Sequence, residues 1–222
     1  MSKRADIWTI STRKGGVLKT SLTVNIAGIL SKENKVLIID MDAQGNVLLS
    51  FGVNPDDVEL TIRDVLLEGV DPRKAVINVY ENIDVIPAND DMNDFEFVVI
   101  PDRKKYSDPF ILLKEKFENI VEDYDYILID TPPNFGLIQA NSLMFANKVL
   151  IPYQPEKYSM RALVKIVDTI RLFQRKYNPS LEILGVVSTL VDMRTSVHCE
   201  IMEITRKYCI EKRYSIVKYH YP

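Results

Sequence analysis

The sequence predicts an α/β protein, a mostly parallel twisted sheet with helices on both faces. Three observations carry that prediction. Short β-rich runs alternate with helix-compatible stretches from end to end of the chain. The clearest runs are nearly continuous in Val, Ile and Leu, the pattern of strands buried on both faces rather than on one. Between the first run and the first helical stretch lies a glycine turn followed by Lys19 and Thr20, and such a turn joins the end of a strand to the start of a helix.

In chain order, strands are expected at residues 7–11, 36–40, 83–87, 126–130, 149–152 and 183–189. Ile7-Trp8-Thr9-Ile10 makes the first, Val36-Leu37-Ile38-Ile39 the second and Tyr126-Ile127-Leu128-Ile129 the fourth. Helices are expected at 20–30, 61–67, 109–121, 137–145, 160–177 and 195–209, where the spacing of apolar residues suits a helix. Residues 92–108 fit neither pattern. No repeat, low-complexity tract or Ser/Gly linker marks a boundary, so residues 1–222 are expected to form one domain. Ligands of such sheets bind beyond the carboxyl ends of the strands, and the acidic motifs fall there.

With 46% hydrophobic and 27% charged residues the chain has the balance of an ordinary soluble protein, and only 8 glycines argue against a fibrous or linker-rich one. Its 2 cysteines, Cys199 and Cys209, lack C-x-x-C spacing, so neither a disulfide framework nor a zinc site is indicated. A reducing cytoplasm fits, and no signal peptide or membrane-spanning run is evident. A net charge of −3 requires any DNA contact to come from a local patch. From Arg194 onward Arg206, Lys207, Lys212, Arg213 and Lys218 stand among Glu200, Glu203 and Glu211, which reads either as such a patch or as a solvated helix face.

The turn itself is Arg13-Lys14-Gly15-Gly16-Val17-Leu18-Lys19-Thr20. Glycines let backbone N–H groups close around phosphate oxygens, Lys19 supplies a compact positive charge, and the Thr20 hydroxyl suits Mg²⁺. Against the usual phosphate-loop pattern G-x-x-x-x-G-K-[ST], Lys14 is an added lysine and Leu18 replaces a glycine. A lysine-flanked Gly-Gly turn is also compatible with a plain solvated loop. The second run ends in Asp40-Met41-Asp42-Ala43-Gln44-Gly45-Asn46, two carboxylates that can divide metal binding and orientation of water, or merely end a strand in solvent. The fourth ends in Asp130-Thr131-Pro132-Pro133, an acid followed by a stiff exit that suits either a switch loop or a routine turn.

Together these pieces resemble the ParA partition ATPases of the ParA/MinD group, P-loop NTPases with a deviant Walker A motif. Lys14, Gly15, Gly16, Lys19 and Thr20 match K-G-G-x-x-K-[ST], residues 40–46 match D-x-D-x-Q-G-N, and Ile129-Asp130-Thr131-Pro132-Pro133 matches Walker B. Val149-Leu150-Ile151-Pro152-Tyr153-Gln154-Pro155-Glu156 is similar to V-L-I-P-x-Q-P-E. The resemblance implies slow hydrolysis of ATP to ADP at residues 14–21 (Lys14, Gly15, Gly16, Val17, Leu18, Lys19, Thr20 and Ser21), with Mg²⁺ served by Thr20 and, through water, by Asp40 and Asp130. It implies Lys14 and Lys19 as catalytic cations and Asp42 as the acid that positions water. It further implies an ATP-bound homodimer bridged by Lys14, nonspecific DNA binding on the nucleoid through Arg194, and a ParB-type centromere-binding partner that stimulates hydrolysis.

Leu18 is the chief departure. If that position has left-handed backbone, a non-glycine residue costs roughly 1–2 kcal/mol, which would weaken the site; if right-handed, the cost is small. The second departure is Tyr219-His220-Tyr221-Pro222, where the family continues through a basic loop and terminal helix, so the chain is expected to lack that segment and with it a MinD-type membrane helix. Two alternatives stay open: a MinD-like positioning ATPase, and a hydrolysis-impaired, nucleotide-gated DNA-binding or scaffold protein.

Overall fold

The computed structural model describes residues 4–218; the expected departure at Tyr219 to Pro222 lies outside them. Eight strands form one sheet: β1 Asp6–Ile10, β2 Val36–Asp40, β3 Ile77–Tyr80, β4 Ile83–Ile86, β5 Tyr126–Asp130, β6 Lys148–Tyr153, β7 Glu182–Ser188 and β8 Ser215–Lys218, in the order β3-β4-β2-β5-β1-β6-β7-β8. Only β3 against β4 is antiparallel. Every other neighbouring pair is parallel.

The seven helices are α1 Lys19–Leu30, α2 Asn46–Ser50, α3 Phe95–Val99, α4 Leu112–Phe117, α5 Leu137–Phe145, α6 Ser159–Lys176 and α7 Ser196–Lys212. They cover both faces. Ile10, Val36, Ile38 and Leu128 pack with Leu22 and Ala27 of α1 and with Val47 and Leu48 of α2. Ile7, Leu37, Ile39, Ile127 and Ile129 pack on the other face with residues of α3 to α7, among them Phe95, Phe117, Leu143, Ile166 and Ile201. Neighbouring residues of one strand thus enter opposite cores, which is why these strands are apolar without alternation.

The expected strands and the four longer helices recur within a few residues of their expected ends. The expected helix at 109–121 is only Leu112–Phe117, and 61–67 runs into a π-helical turn, Asp64–Glu68. The undecided stretch holds a 3₁₀ turn, Asp90–Asp94, that leads into α3. Strand β3 has no apolar run to announce it, because it is a half-exposed edge strand. Among the described residues, no helix is long and apolar enough to cross a membrane.

Strand register sets up the site. Asp130 at the end of β5 is level with Ile10 of β1 on one side and with Asp40 of β2 on the other. The glycine turn leaving β1 therefore rises directly beside two carboxylates.

Candidate functional site

An open cleft lies over the carboxyl edge of the sheet, and Gly15, Gly16, Lys19, Thr20, Asp42 and Asn46 are among its lining residues. At Gly15 and Gly16 an added Cβ would meet nothing within 4 Å, and Gly16 has φ +71°, so the turn has free space over its backbone. Val17 is buried beneath the turn while Ser21 lines the cleft. Leu18 is left-handed, with φ 59° and ψ 38°. Of the two cases the sequence left open, this is the strained one. A leucine in that conformation costs roughly 1–2 kcal/mol relative to glycine.

Lys19 is buried, which lowers its ammonium pKa; the charges of Asp130 and Asp42 oppose that shift. The Thr20 hydroxyl donates to Asp130 Oδ2 at 2.5 Å, and that of Thr23 to Oδ1 at 3.3 Å. Burial nevertheless pushes the Asp130 carboxyl up to about 6. Asp40 is raised well above its ordinary value, first by burial and then by the neighbouring Asp130. Two acids side by side in the sheet therefore lack enough positive charge.

The second motif is built around Asp40. Its Oδ1 accepts the Asp42 N–H at 3.0 Å and its Oδ2 accepts the Val47 N–H at 3.2 Å. Asp40, expected near the metal, thus fixes the loop that carries Asp42. Gly45 closes that loop at φ +62°, and a Cβ there would lie 2.7 Å from Pro55 side-chain carbons and 2.9 Å from the Ala88 carbonyl oxygen. Half-buried Asp42 is left in the cleft. A divalent cation fits this set: Thr20 and Asp130 supply hard oxygen ligands, and positive charge relieves the crowded acids. Among the described residues no group of three or more His, Cys, Asp or Glu could hold a metal ion.

Comparison with known proteins shows the family of the chain. Residues 5–183 match the family model described as an AAA domain. The chain is 36% identical over 213 residues to the sporulation initiation inhibitor protein Soj of Bacillus subtilis, covering 95% of this chain and 83% of Soj. It is 32% identical to the chromosome partitioning protein ParA of Myxococcus xanthus, over 94% of this chain and 73% of that protein. This chain belongs to the ParA family of P-loop ATPases. A plasmid partition protein of Borrelia burgdorferi bound to AMPPNP has the same fold, with a TM-score of 0.79 and 31% identity over 97% of this chain and 84% of that one. Cobyrinic acid a,c-diamide synthase of Mycobacterium smegmatis, with a bound ATP analog and magnesium, superposes with a TM-score of 0.84 at 29% identity, over 91% of this chain and 80% of that one.

Two expected site residues of this ParA-family chain, Lys14 and Arg194, do not line the cleft. The Lys14 ammonium donates to Glu156 Oε2 at 2.5 Å and to Gln154 Oε1 at 3.2 Å, both just beyond β6. Arg194 stands outside the cleft on the loop before α7, its side chain 90% exposed, forked onto Asp192 at 2.9 Å for both bonds. That pairing holds the Asp192 carboxyl down at about 2. The other cations divide. Lys207 and Lys212 pair with Glu203 and Glu211 of their own helix, which favours a solvated face for them.

Sequence reasoning missed several contributors. Thr23 stands one turn after Thr20 and braces the other oxygen of Asp130, a spacing the motif itself offers. The guanidinium of Arg13 lies 4.9 Å from the centre of the Phe135 ring, tying the glycine turn to the loop after Asp130. Glu96 Oε1 accepts the Leu137 N–H at 2.6 Å and fills the space beside Gly136 that a side chain would need. No local pattern announces the last two contacts, because each joins residues far apart in the chain.

Proposed function

We propose that the chain is a partition ATPase that binds ATP with Mg²⁺ and hydrolyses it slowly, driving a DNA-bound cycle. One observation carries this reading: Lys19, Thr20 and Asp42 meet at one cleft, with Asp130 bonded to Thr20. Backbone N–H groups of residues 15–20 hold the phosphates, and Lys19 neutralises their charge. Thr20 and Asp130 hold Mg²⁺, with Asp40 one layer behind. The ion, when bound, supplies charge neutralisation on the phosphates. Asp42 orients the attacking water, and Asp40 sets its position.

In the ATP state two copies close face to face, and Lys14 leaves Glu156 to reach its partner's phosphates. The dimer retains DNA without sequence preference, Arg194 contributing a phosphate contact on the nucleoid, and a ParB-type partner accelerates hydrolysis. The resemblance of the motifs and the kinship with Soj and ParA support this cycle.

Sedimentation of the chain with ADP or ATP, with and without duplex DNA, tests it. An ATP-dependent dimer that Lys14→Ala fails to lock is the expected result. A monomer in ATP rejects the mechanism. DNA retention without any phosphate release would turn the reading to a nucleotide-gated scaffold, and an ATP dimer without DNA retention to a positioning ATPase of the MinD kind.

A further inference from the structure

The phosphate cleft adjoins a second pocket, and Leu18 and Ser21 line both. The start of α1 gives this pocket Leu18, Leu22 and Asn25, and the exit of β7 gives it Thr189, Leu190 and Val191. It opens to solvent and no charged side chain lines it. Two of its leucines are strained. Leu18 at φ 59° and Leu190 at φ 51° are half of the four non-glycine residues with positive φ among those described. Both keep apolar surface exposed, 37% for Leu18 and 46% for Leu190. Residues held in costly backbone conformations persist where the surrounding structure enforces them, and ligand clamps are such places.

A ligand whose anionic end occupies the glycine turn must place its remaining part near this shared wall. The pocket is uncharged and largely apolar, so it accepts a neutral planar base and its sugar rather than further phosphate. We propose that Leu18 and Leu190 form the apolar walls of the nucleoside subsite, so that Leu18, where the family pattern has glycine, strengthens nucleotide binding instead of weakening it. The inference rests on the nucleotide reading above. Glycine would relax the backbone but would remove the side chain that covers the nucleoside. Relaxing a turn that keeps one conformation with and without nucleotide changes stability rather than affinity. Covering part of a leucine side chain corresponds to a change in affinity of about tenfold.

Calorimetric titration of the full chain and its variants with Mg²⁺ and either ATP or inorganic tripolyphosphate tests the idea. Leu18→Gly is expected to bind ATP about tenfold more weakly while keeping its affinity for tripolyphosphate. Leu18→Met, which restores an apolar wall, is expected to recover ATP binding, and Leu190→Ala to share the selective loss. The unfolding midpoint of ligand-free Leu18→Gly, expected at or above that of the wild type, shows that its fold is intact. ATP binding by Leu18→Gly as tight as the wild type overturns the proposal, and so does an equal loss for both ligands. A wild-type chain that binds neither ligand overturns the nucleotide reading itself.

Discussion

The ammonium group of Lys14 is held 2.5 Å from Glu156 Oε2, although 142 positions separate the two residues in the chain. Strand β6 delivers Glu156 to the same edge of the sheet at which β1 releases the glycine turn. Within one subunit the pair holds the lysine that the proposed cycle sends across to another. In the proposed cycle such a contact opposes dimerisation, but weakly, because the side chains are 40% and 48% exposed. An ion pair so open to solvent is worth at most about 1 kcal/mol. Glu156→Gln is therefore expected to tighten the ATP-dependent dimer by up to about fivefold per pair, measured by sedimentation across a range of concentrations. A looser dimer would show instead that Glu156 serves the closed state.

Asp40 and Asp130 make stability depend on pH in a direction opposite to that of most carboxylates. Burial raises both, so the folded chain keeps protons that the unfolded chain has released. Stability from this source is fully present below the ordinary carboxylate value of 3.8 and is lost as pH rises, for Asp130 through about 6. Asp40 shifts in the same direction. The ligand-free wild type is expected to lose thermal stability relative to Asp130→Asn between pH 4 and pH 7. Parallel melting curves for the two proteins across that range would refute the assignment. Because Mg²⁺ favours the charged carboxylates, its binding with nucleotide near pH 6 is expected to release protons, detectable by calorimetry in buffers of different ionisation heat.

Arg194 meets its partner two residues away, and in the proposed cycle that partner limits what it can contribute to DNA binding. Its guanidinium spends two N–H groups on Asp192, whose charge cancels its own. Asp192→Asn is expected to raise retention of the ATP state on nonspecific duplex DNA, and Arg194→Ala to lower it. Removing one cation from a DNA phosphate reduces the slope of log affinity against log salt by about 0.9. A salt titration of the variants decides the matter. If Arg194→Ala leaves the slope unchanged, Arg194 makes no DNA phosphate contact.

The parts of this chain that were legible in its sequence are those set by local chemistry. Val36 to Ile39 read as a strand covered on both sides, and the glycine turn with Lys19 and Thr20 read as the join between a strand and a helix. Elements whose form depends on neighbours were not legible. Strand β3 exists because β4 offers it an edge, and helix α4 is shorter than its apolar spacing suggests. The candidate site divides in the same way. Its motif residues could be listed from the sequence, whereas the grip of Glu156 on Lys14, the contact of Arg13 with Phe135 and the role of Asp40 in holding Asp42 arise only once distant strands share an edge.

Gly45 shows how sharply that edge is packed. It combines a left-handed backbone with two close neighbours, Pro55 and the Ala88 carbonyl, and the carbonyl has no rotamer by which to withdraw. Alanine there carries a left-handed penalty of roughly 1–2 kcal/mol and an overpacking cost of about 1–3 kcal/mol. Gly45→Ala is expected to lose about 2–5 kcal/mol in denaturant unfolding. The damage is expected to reach the cleft, because the Gly45 N–H bonds to the Asp42 carbonyl oxygen at 3.0 Å and the loop is anchored on Asp40. Relief of the clash would displace Asp42. Phosphate release under saturating ATP is therefore expected to fall more steeply than ATP affinity, since Lys19 and the glycine turn lie on another loop. Wild-type turnover in a destabilised Gly45→Ala chain would separate the packing of this loop from its chemistry and remove Asp42 from the role assigned to it.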